Sequence, residues 1–347
     1  MFLFQKIFLG NFQVKTDLLR QVPRCWCSTA DLLSVLALSN ILLAMISPSN
    51  ELIRSERWQT ERVLLQDELA ERITLDALTG PVGPMARELC KDDAGERAGW
   101  LIAQRKRGHR HSIDDVLTAW YALQIAPPAQ EHLDLGTGIG TVGLLTLWGM
   151  GPAAKLTCVE AQEISYRLLQ SNIDANGLRQ RVTCSLGDLR SLALGRTFSL
   201  ITGSPPYFPA GTGVLPQDSQ KAHARFELRG DVGDYARAAC SHLGEGGWFV
   251  VCFPSPQKQR ALDGIAAAGL KVVRLRDVIP RETLAPLFTL FACQRNEGCE
   301  GAMKVEPPLT VRQVDGRLTA EMAAVRRVFG FEDRVSYAGS GHPPRIL

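Results

Sequence analysis

The stretch EHLDLGTGIG at residues 131–140 constrains the fold more than any other part of this sequence. An apolar run ends in Asp134, and glycines follow at every second position as far as Gly140. This pattern predicts a buried strand, a tight glycine turn and a helix that begins near Thr141. Glycine lets the backbone come close to a ligand because it has no Cβ, and a helix start leaves N–H groups unpaired. The stretch therefore predicts a nucleotide-type ligand site, or else a tightly packed turn without a ligand.

Short apolar runs recur along the chain and are typical of buried strands, and helical periodicity separates most of them. The last two follow each other without a helix, which is typical of an antiparallel hairpin. The pattern predicts an α/β fold, Rossmann-like and doubly wound, with a seven-stranded, mostly parallel sheet and an antiparallel closing strand. The predicted strands cover residues 131–135, 155–160, 181–186, 198–203, 247–253, 270–278 and 287–293.

Polar residues stand at the carboxyl ends of the first four predicted strands, where doubly wound sheets bind their ligands. A nicotinamide enzyme would need only the glycine turn and the acid Glu160. S-adenosylmethionine accounts for more of them, with Asp134 near its cationic amino-acid end, Glu160 on its ribose hydroxyls and Asp188 on its adenine amine. The predicted cofactor-binding residues are Asp134, Gly136, Thr137, Gly138, Gly140, Glu160 and Asp188.

The segment Ser204-Pro205-Pro206-Tyr207 directly follows the fourth predicted strand. An exocyclic amine on a base is a poor nucleophile, because its lone pair is delocalised into the ring. Ser204 Oγ and the Pro205 carbonyl, held by consecutive prolines, would accept hydrogen bonds from such an amine and turn its lone pair toward a methyl donor. Tyr207 offers a ring on which a base could stack. We expect these four residues to be catalytic, the alternative being a Pro-Pro turn with a core tyrosine.

A basic segment, RKRGHRH at residues 105–111, precedes the first strand of the predicted sheet. Four Lys/Arg and two His within seven residues suit a phosphate backbone, although a solvated loop has the same composition. Ser112 is a credible N-cap for the following helix, which gives Asp114 a structural role in its first turn. The predicted RNA-binding residues are Arg105, Lys106, Arg107, Arg110 and Phe208.

In order and spacing these motifs resemble class I S-adenosylmethionine-dependent methyltransferases, in the subset that carries Asn, Asp or Ser before Pro-Pro-Tyr or Pro-Pro-Phe. Within that subset the chain resembles the bacterial tRNA adenine-N6 methyltransferases that act on valine tRNA next to the anticodon, notably at residues 108–114, 216–227 and 308–329. The resemblance covers residues 99–331 and implies a tRNA substrate. The adenine-acting relatives usually carry Asn where this chain has Ser204, and serine occurs there in some cytosine-amine methyltransferases, so the target base stays open.

These observations predict an N-methyltransferase that acts on an exocyclic base amine in RNA, with tRNA adenine as the first candidate. A protein glutamine amide is an alternative substrate, because its nitrogen is a similarly weak nucleophile. A non-catalytic, methyltransferase-like RNA-binding protein is a second alternative, suggested by Ser204 in place of Asn.

The 347 residues, 45% hydrophobic and 22% charged, are typical of a globular protein with one large or two modest domains. The cysteines are scattered, with no CxxC pair and no Cys/His metal spacing, so we expect no metal site and a reduced, cytoplasmic protein. The apolar run at 32–46 is short of the ~20 residues that a membrane span needs. We expect an apolar extension or organelle-targeting segment at 1–50, a helical and loop region at 51–98 with a helix over 51–75, a methyltransferase domain at 99–331 and a tail at 332–347.

Overall fold

The computed structural model describes residues 61–63, 72–81, 99–297 and 301–331. The strands are β1 Glu61–Val63, β2 Arg72–Ala77, β3 Leu101–Arg105, β4 Glu131–Leu135, β5 Lys155–Glu160, β6 Val182–Leu186, β7 Phe198–Gly203, β8 Leu243–Pro254, β9 Leu270–Ile279, β10 Phe288–Arg295 and β11 Lys304–Thr310. The α-helices are α1 Ile113–Ile125, α2 Thr141–Met150, α3 Glu163–Ala175, α4 Ser219–Arg225, α5 Val232–His242, α6 Lys258–Ala267 and α7 Ala320–Val328.

An eight-stranded sheet in the order β11-β9-β10-β8-β7-β4-β5-β6 forms the centre of the described structure. The strands β4 to β8 pair in parallel, whereas β10 runs antiparallel to both β8 and β9. The prediction of a Rossmann-like, mostly parallel α/β sheet with an antiparallel closing strand is confirmed. Strand β4 lies between β5 and β7, so the strand order reverses there, and such switch points are where these sheets bind ligands.

The eighth strand, β11, was not among the seven predicted ones. It contains two prolines, Pro307 and Pro308, and a proline cannot donate to a sheet ladder, so the segment does not look like a strand in the sequence. It lies at the sheet edge, parallel to β9, and its register shifts between Glu306 and Leu309, where the prolines stand. An edge position tolerates them, because one side of the strand needs no partner.

Helices cover both faces of the sheet and produce two buried cores. Leu117 of α1, Leu144 of α2 and Leu168 of α3 belong to the core on one face. Tyr235 of α5 and Ile265 of α6 belong to the core on the other. The strands between them are buried on both sides, which accounts for continuous apolar stretches such as residues 248–253 of β8.

A small antiparallel sheet, β1-β2-β3, precedes the large one. The helix predicted over 51–75 is wrong at residues 61–63 and 72–75, which belong to strands β1 and β2. The alternation of Ile73 and Leu75 with polar residues has the two-residue period of a strand, and Ile73 is buried in the first core. The predictions for residues 1–50 and 332–347 lie outside the described residues. Within the described ranges, no helix has the length and apolar character that a membrane crossing requires.

Helix α4 stands in the segment after Tyr207 that the sequence presented as a long polar loop. Its sequence, SQKAHAR, has no apolar stripe, so periodicity could not reveal it. Asp218 caps the helix by accepting a hydrogen bond from the Lys221 N–H at 2.8 Å. The helix brings polar and basic side chains to the carboxyl edge of the large sheet.

Candidate active site

A cavity of about 270 Å³ lies at the carboxyl ends of β4, β5, β6 and β7. Most of the predicted catalytic and cofactor-binding residues line it, together with Phe208. Gly140 is not among the lining residues. Arg105, Lys106, Arg107 and Arg110 are also not among them.

The glycine turn between β4 and α2 uses its three glycines for different purposes. Gly136 has a φ of 58°, and a Cβ there would lie 1.9 Å from the Tyr235 hydroxyl, so this position is closed by packing. Gly138 has a φ of 60°, but a Cβ there would meet no atom within 4 Å, because the residue faces the cavity. Gly140 caps α2 from the left-handed region, against Leu169. Only Gly138 has the open approach expected of a ligand-contacting glycine.

Glu160, the last residue of β5, is buried at the cavity wall. Its Oε2 accepts a hydrogen bond from the Gly138 N–H at 2.8 Å, and its Oε1 accepts one from the Gln162 N–H at 2.7 Å. Burial raises the pKa of this carboxyl, whereas these two hydrogen bonds lower it. Each carboxylate oxygen keeps a second lone pair, so Glu160 can still accept hydrogen bonds from a pair of hydroxyl groups.

Asp134 fixes the start of α2 against the sheet. Its Oδ2 accepts from the Gly143 N–H at 3.0 Å, and its Oδ1 accepts from the Thr202 hydroxyl at 2.6 Å. His132 Nε2 lies 2.7 Å from the same Thr202 oxygen. Burial raises the pKa of Asp134 to about 7, despite these hydrogen bonds. Both oxygens therefore already have a protein donor, and the group titrates near neutral pH.

Asp188 lies at the cavity wall just beyond β6, paired with Arg190. Its Oδ1 accepts hydrogen bonds from the Arg190 N–H at 2.9 Å and from Arg190 Nε at 3.0 Å. These bonds lower the pKa of Asp188, so it is a carboxylate at neutral pH. A ligand amine at this position would share the carboxylate with Arg190.

The Ser204–Tyr207 turn is held from several sides. The Tyr207 N–H and the Phe208 N–H both donate to the Arg225 carbonyl, at 3.0 and 2.9 Å. Gln257 Nε2 donates to the Tyr207 carbonyl at 2.8 Å. The Tyr207 ring stands edge-on to Phe253, with ring centroids 5.9 Å apart. These contacts hold the turn in addition to the restraint that its two prolines place on the backbone.

The first turn of α1 reaches the same cavity and contributes two carboxylates, Asp114 and Asp115. The Tyr207 hydroxyl donates to Asp114 Oδ2 and lies 3.4 Å from Cys252 Sγ. Burial, followed by the charge of Asp114, raises the pKa of Tyr207 well above its usual value. Sequence reasoning gave Asp114 only a helix-terminal role and did not place Asp115 at the site.

The basic segment divides into two kinds of residue. Arg105 is 5% exposed and forms an ion pair with Asp218 at 2.9 Å, so the prediction that it binds RNA is wrong. Arg110 donates to Thr74 Oγ1 at 2.7 Å and to Asp76 at 3.0 Å, and thereby ties β2 to the site. Lys106 and Arg107 are exposed, as an RNA contact requires.

Helix α4 and the segments beside it bring further residues to the site, of which the sequence analysis had assigned only Phe208. Phe208 is 47% exposed, and its ring centroid lies 5.4 Å from that of Phe226. Arg225, beside this pair, is exposed and lines the cavity. Burial lowers the pKa of His109 and of His111, so both cavity-lining imidazoles are neutral at pH 7. The only sequence signal was the resemblance of residues 108–114 and 216–227 to one family.

Among the residues that the structure describes, no group of three or more His, Cys, Asp or Glu side chains could hold a metal ion.

Several known proteins are similar in sequence to this chain. No protein-family model matches the chain. The tRNA1(Val) (adenine(37)-N6)-methyltransferase of Tolumonas auensis is 25% identical over 214 residues, which cover 62% of this chain and 86% of that protein. The proteins of the same name from Bacteroides thetaiotaomicron and Pasteurella multocida are 24% and 28% identical, over 53% and 48% of this chain and 76% and 70% of theirs.

A solved structure of a predicted O-methyltransferase from Agrobacterium tumefaciens is 16% identical, with a TM-score of 0.46, and the match covers 62% of this chain and 96% of that one. The fold assignment depends on the strand order and not on this likeness. The sequence relatives confirm the similarity to the tRNA adenine-N6 methyltransferases, at 24–28% identity, whereas the assignment to the subset with the Pro-Pro motif stays a prediction.

Proposed function

We propose that this protein is an S-adenosylmethionine-dependent N-methyltransferase that methylates an exocyclic base amine in tRNA, with adenine as the first candidate. The observation that carries the proposal is that one cavity is lined by both the Gly138–Glu160 cradle and the Ser204–Tyr207 turn. The names of the sequence relatives support a tRNA substrate and an adenine amine.

The cavity residues fit this cofactor. Gly138 leaves room for a ligand, and Glu160 is oriented by two backbone N–H groups to accept hydrogen bonds from ribose hydroxyls. Asp134 supplies negative charge for a cationic amino-acid end, and Asp188 supplies an acceptor for an adenine amine. S-adenosylmethionine supplies an electrophilic methyl group when it is bound.

The Ser204–Tyr207 turn holds the acceptor amine. Ser204 Oγ and the Pro205 carbonyl accept hydrogen bonds from its two N–H groups, which leaves the nitrogen lone pair to face the methyl group. Tyr207 and Phe208 provide aromatic surface for the base, and positioning supplies much of the rate in a displacement of this kind. Lys106, Arg107 and Arg225 supply positive charge for the phosphates.

The proposal is tested by incubating the protein with tritiated S-adenosylmethionine and tRNA from cells that lack it. We expect label in tRNA, and nucleoside digestion then names the base. Label on protein would instead favour a glutamine-amide substrate. RNA binding without label transfer, in a protein shown to bind the cofactor, would favour the non-catalytic alternative.

We expect cofactor affinity to fall as the pH drops below about 7, because Asp134 then carries a proton. Its pKa in the folded protein is about 7, raised by burial from its ordinary 3.8. The cationic end of the cofactor favours the carboxylate, so binding below this pH must release the proton, at up to about tenfold in affinity per pH unit. Calorimetry at about pH 6 and about pH 8, in buffers of different ionisation enthalpy, measures affinity and proton release together.

The control for this experiment is Asp134→Asn, which should bind the cofactor weakly and without pH dependence. The free energy of unfolding also depends on pH, because the unfolded chain loses this proton near pH 3.8 and the folded protein keeps it up to about pH 7. This carboxyl therefore lowers the free energy of unfolding as the pH rises between those values. A wild-type affinity that is constant across this range contradicts the role given to Asp134.

Replacing Lys106 and Arg107 together with alanine is expected to weaken tRNA binding and to reduce the slope of log affinity against log salt by about 1 to 2. Both side chains are exposed beside the site. Filter binding over a salt series measures the slope. Lys155→Ala with Arg179→Ala is the matched control, because these exposed cations lie at the opposite edge of the sheet. If the slope of log affinity against log salt is the same in the two double variants, Lys106 and Arg107 do not contact the RNA.

A further inference from the structure

Two polar residues of the large sheet, His132 on β4 and Thr202 on β7, connect to Asp134 without lining the cavity. Alternate residues of a strand share a face, so His132 and Asp134 lie on the same side of β4. Thr202 stands opposite Asp134 on the neighbouring strand. Its hydroxyl donates to Asp134 Oδ1 at 2.6 Å, and His132 Nε2 lies 2.7 Å from the same hydroxyl oxygen. The three side chains therefore form one chain of hydrogen bonds that ends at a residue of the proposed cofactor site.

The direction of this chain depends on which ring nitrogen of His132 carries the hydrogen. Burial lowers the pKa of the imidazole to about 3, so the ring is neutral and holds one N–H. Among the described residues, its Nδ1 is buried without a hydrogen-bond partner. A hydrogen on Nδ1 would leave Nε2 and Asp134 to compete for the single hydrogen of Thr202. Only a hydrogen on Nε2 allows both hydrogen bonds to form while Asp134 is a carboxylate.

A hydrogen on His132 Nε2 fixes what the Thr202 hydroxyl can do. Its oxygen accepts from His132, and its own hydrogen is left for Asp134 Oδ1, while the Gly143 N–H donates to Oδ2 at 3.0 Å. Both oxygens of Asp134 then face donors, which favours the carboxylate over the protonated acid. Hydrogen bonds in a chain also polarise one another, so the donation by His132 strengthens the one that Thr202 makes.

The other titratable groups around Asp134 disfavour its ionisation. Burial is the largest effect that raises its pKa. Charge on any of four neighbouring side chains would raise it further: Cys158 and Glu160 on β5, Asp115 on α1 and Tyr235 on α5. Among the effects that lower this pKa, the hydrogen bond from Thr202 is the largest. The carboxylate therefore depends on its hydrogen bonds, and on that of Thr202 first.

We propose that His132 and Thr202 are positioning residues that hold Asp134 as a hydrogen-bonded carboxylate for the cationic amino-acid end of the cofactor. This inference rests on the proposed function, since it assigns roles to two residues that lie behind the cofactor site. It accounts for a fully buried histidine in a central strand, where a core residue is ordinarily apolar. It also accounts for the unpartnered Nδ1, because the work of the ring is done by Nε2.

Thr202→Val tests the proposal because valine has the shape of threonine without the hydroxyl. The loss of the hydrogen bond should raise the pKa of Asp134, so we expect cofactor affinity to begin to fall at a pH about one unit higher than in wild type. Thr202→Ser keeps the hydroxyl and should keep the wild-type profile. Calorimetric titration with S-adenosylmethionine from about pH 5.5 to about pH 9.5 measures these profiles.

Thr289→Val is the matched control. Thr289 is also a fully buried threonine in a strand, and its hydroxyl donates to Asp277 Oδ1 at the same distance, 2.6 Å, but it lies on β10 outside the cavity. This variant should have the wild-type profile. If Thr202→Val has that profile too, the proposal is wrong.

His132→Leu tests whether the histidine acts through Thr202. Without the Nε2–H, the Thr202 hydroxyl is no longer held toward Asp134, so cofactor affinity should begin to fall at a higher pH than in wild type. Adding His132→Leu to Thr202→Val should shift the profile no further, because the hydroxyl that His132 orients is already absent. Equal shifts in both backgrounds would mean that His132 does not act through Thr202, and the proposal would be wrong. No shift in the wild-type background would contradict it as well.

Two NMR measurements on the cofactor-free protein decide the hydrogen bonds without any ligand. Ring ¹⁵N NMR of wild type at about pH 8 should show the hydrogen of His132 on Nε2, and a hydrogen on Nδ1 overturns the proposal. Carboxyl ¹³C NMR of Asp134 should give a higher pKa in Thr202→Val than in wild type, and an equal pKa overturns it too. If wild type binds no S-adenosylmethionine, the proposed function fails, and these measurements still decide whether His132 and Thr202 hold Asp134.

Discussion

Replacing Tyr207 with alanine is expected to slow methyl transfer to tRNA by about 100-fold while cofactor affinity changes by less than about threefold. The Tyr207 ring lines the cavity and stands against Phe253, so its loss removes both the stacking surface and the packing that fixes the turn. Base stacking on an aromatic side chain contributes about 1–3 kcal/mol, which accounts for most of this effect. Single-turnover transfer of tritium, at saturating cofactor, measures the rate.

Tyr207→Phe separates the ring from its hydroxyl. It keeps the stacking surface and loses the hydrogen bond to Asp114 and the contact of the hydroxyl with Cys252 Sγ, so we expect a rate within about tenfold of wild type. A rate for Tyr207→Ala that stays within about threefold of wild type, in a protein that unfolds at the wild-type temperature, would show that the base does not stack there.

Glu160→Gln is expected to raise the dissociation constant for S-adenosylmethionine by about 100-fold. The carboxylate already accepts from the Gly138 and Gln162 N–H groups, so an amide must point its NH₂ group at one of these donors. The variant loses a charged acceptor for the ribose hydroxyls as well, and hydrogen bonds to charged groups contribute about 1.5–3 kcal/mol each. Calorimetric titration with the cofactor measures the effect.

Glu163→Gln is the control for this substitution. Glu163 lies three residues after Glu160, at the start of α3, and its exposed carboxylate pairs with Arg167 outside the cavity. The Glu163→Gln variant should therefore bind the cofactor with wild-type affinity. Because Glu160 also braces the glycine turn, thermal unfolding of both variants has to accompany the titration. If Glu160→Gln has the same dissociation constant as the control, Glu160 does not bind the ribose hydroxyls.

The ends of β5 and β7 were predictable because these short segments carry the apolar residues of buried strands, and a polar residue stands at the end of β5 and directly after β7. The interaction partners of the polar residues could not be predicted from the sequence. Arg105 reads as one cation in a basic cluster, and only the folded chain shows that Asp218, far along the sequence, neutralises it. Helix α4 escaped prediction because it has no apolar stripe and depends on a cap and on its contacts with the site.

Asp115 is a second residue whose place in the site could not be predicted from the local sequence. In the sequence it is one of two acids in a first helical turn, which capping alone explains. Its position in the cavity that Ser204 also lines depends on the packing of α1 against β7, a contact between elements that no local pattern encodes.

The Arg225 carbonyl accepts hydrogen bonds from the N–H groups of both Tyr207 and Phe208. These two bonds join the end of α4 to the Ser204–Tyr207 turn. The segment that we propose to face the nucleic acid and the segment that we propose to hold the reacting amine are therefore joined directly by hydrogen bonds. A change of substrate that replaced α4 during evolution would therefore also disturb the Ser204–Tyr207 turn. The exposed loop at residues 211–215 has no backbone hydrogen bond to that turn, so its sequence can change without this effect.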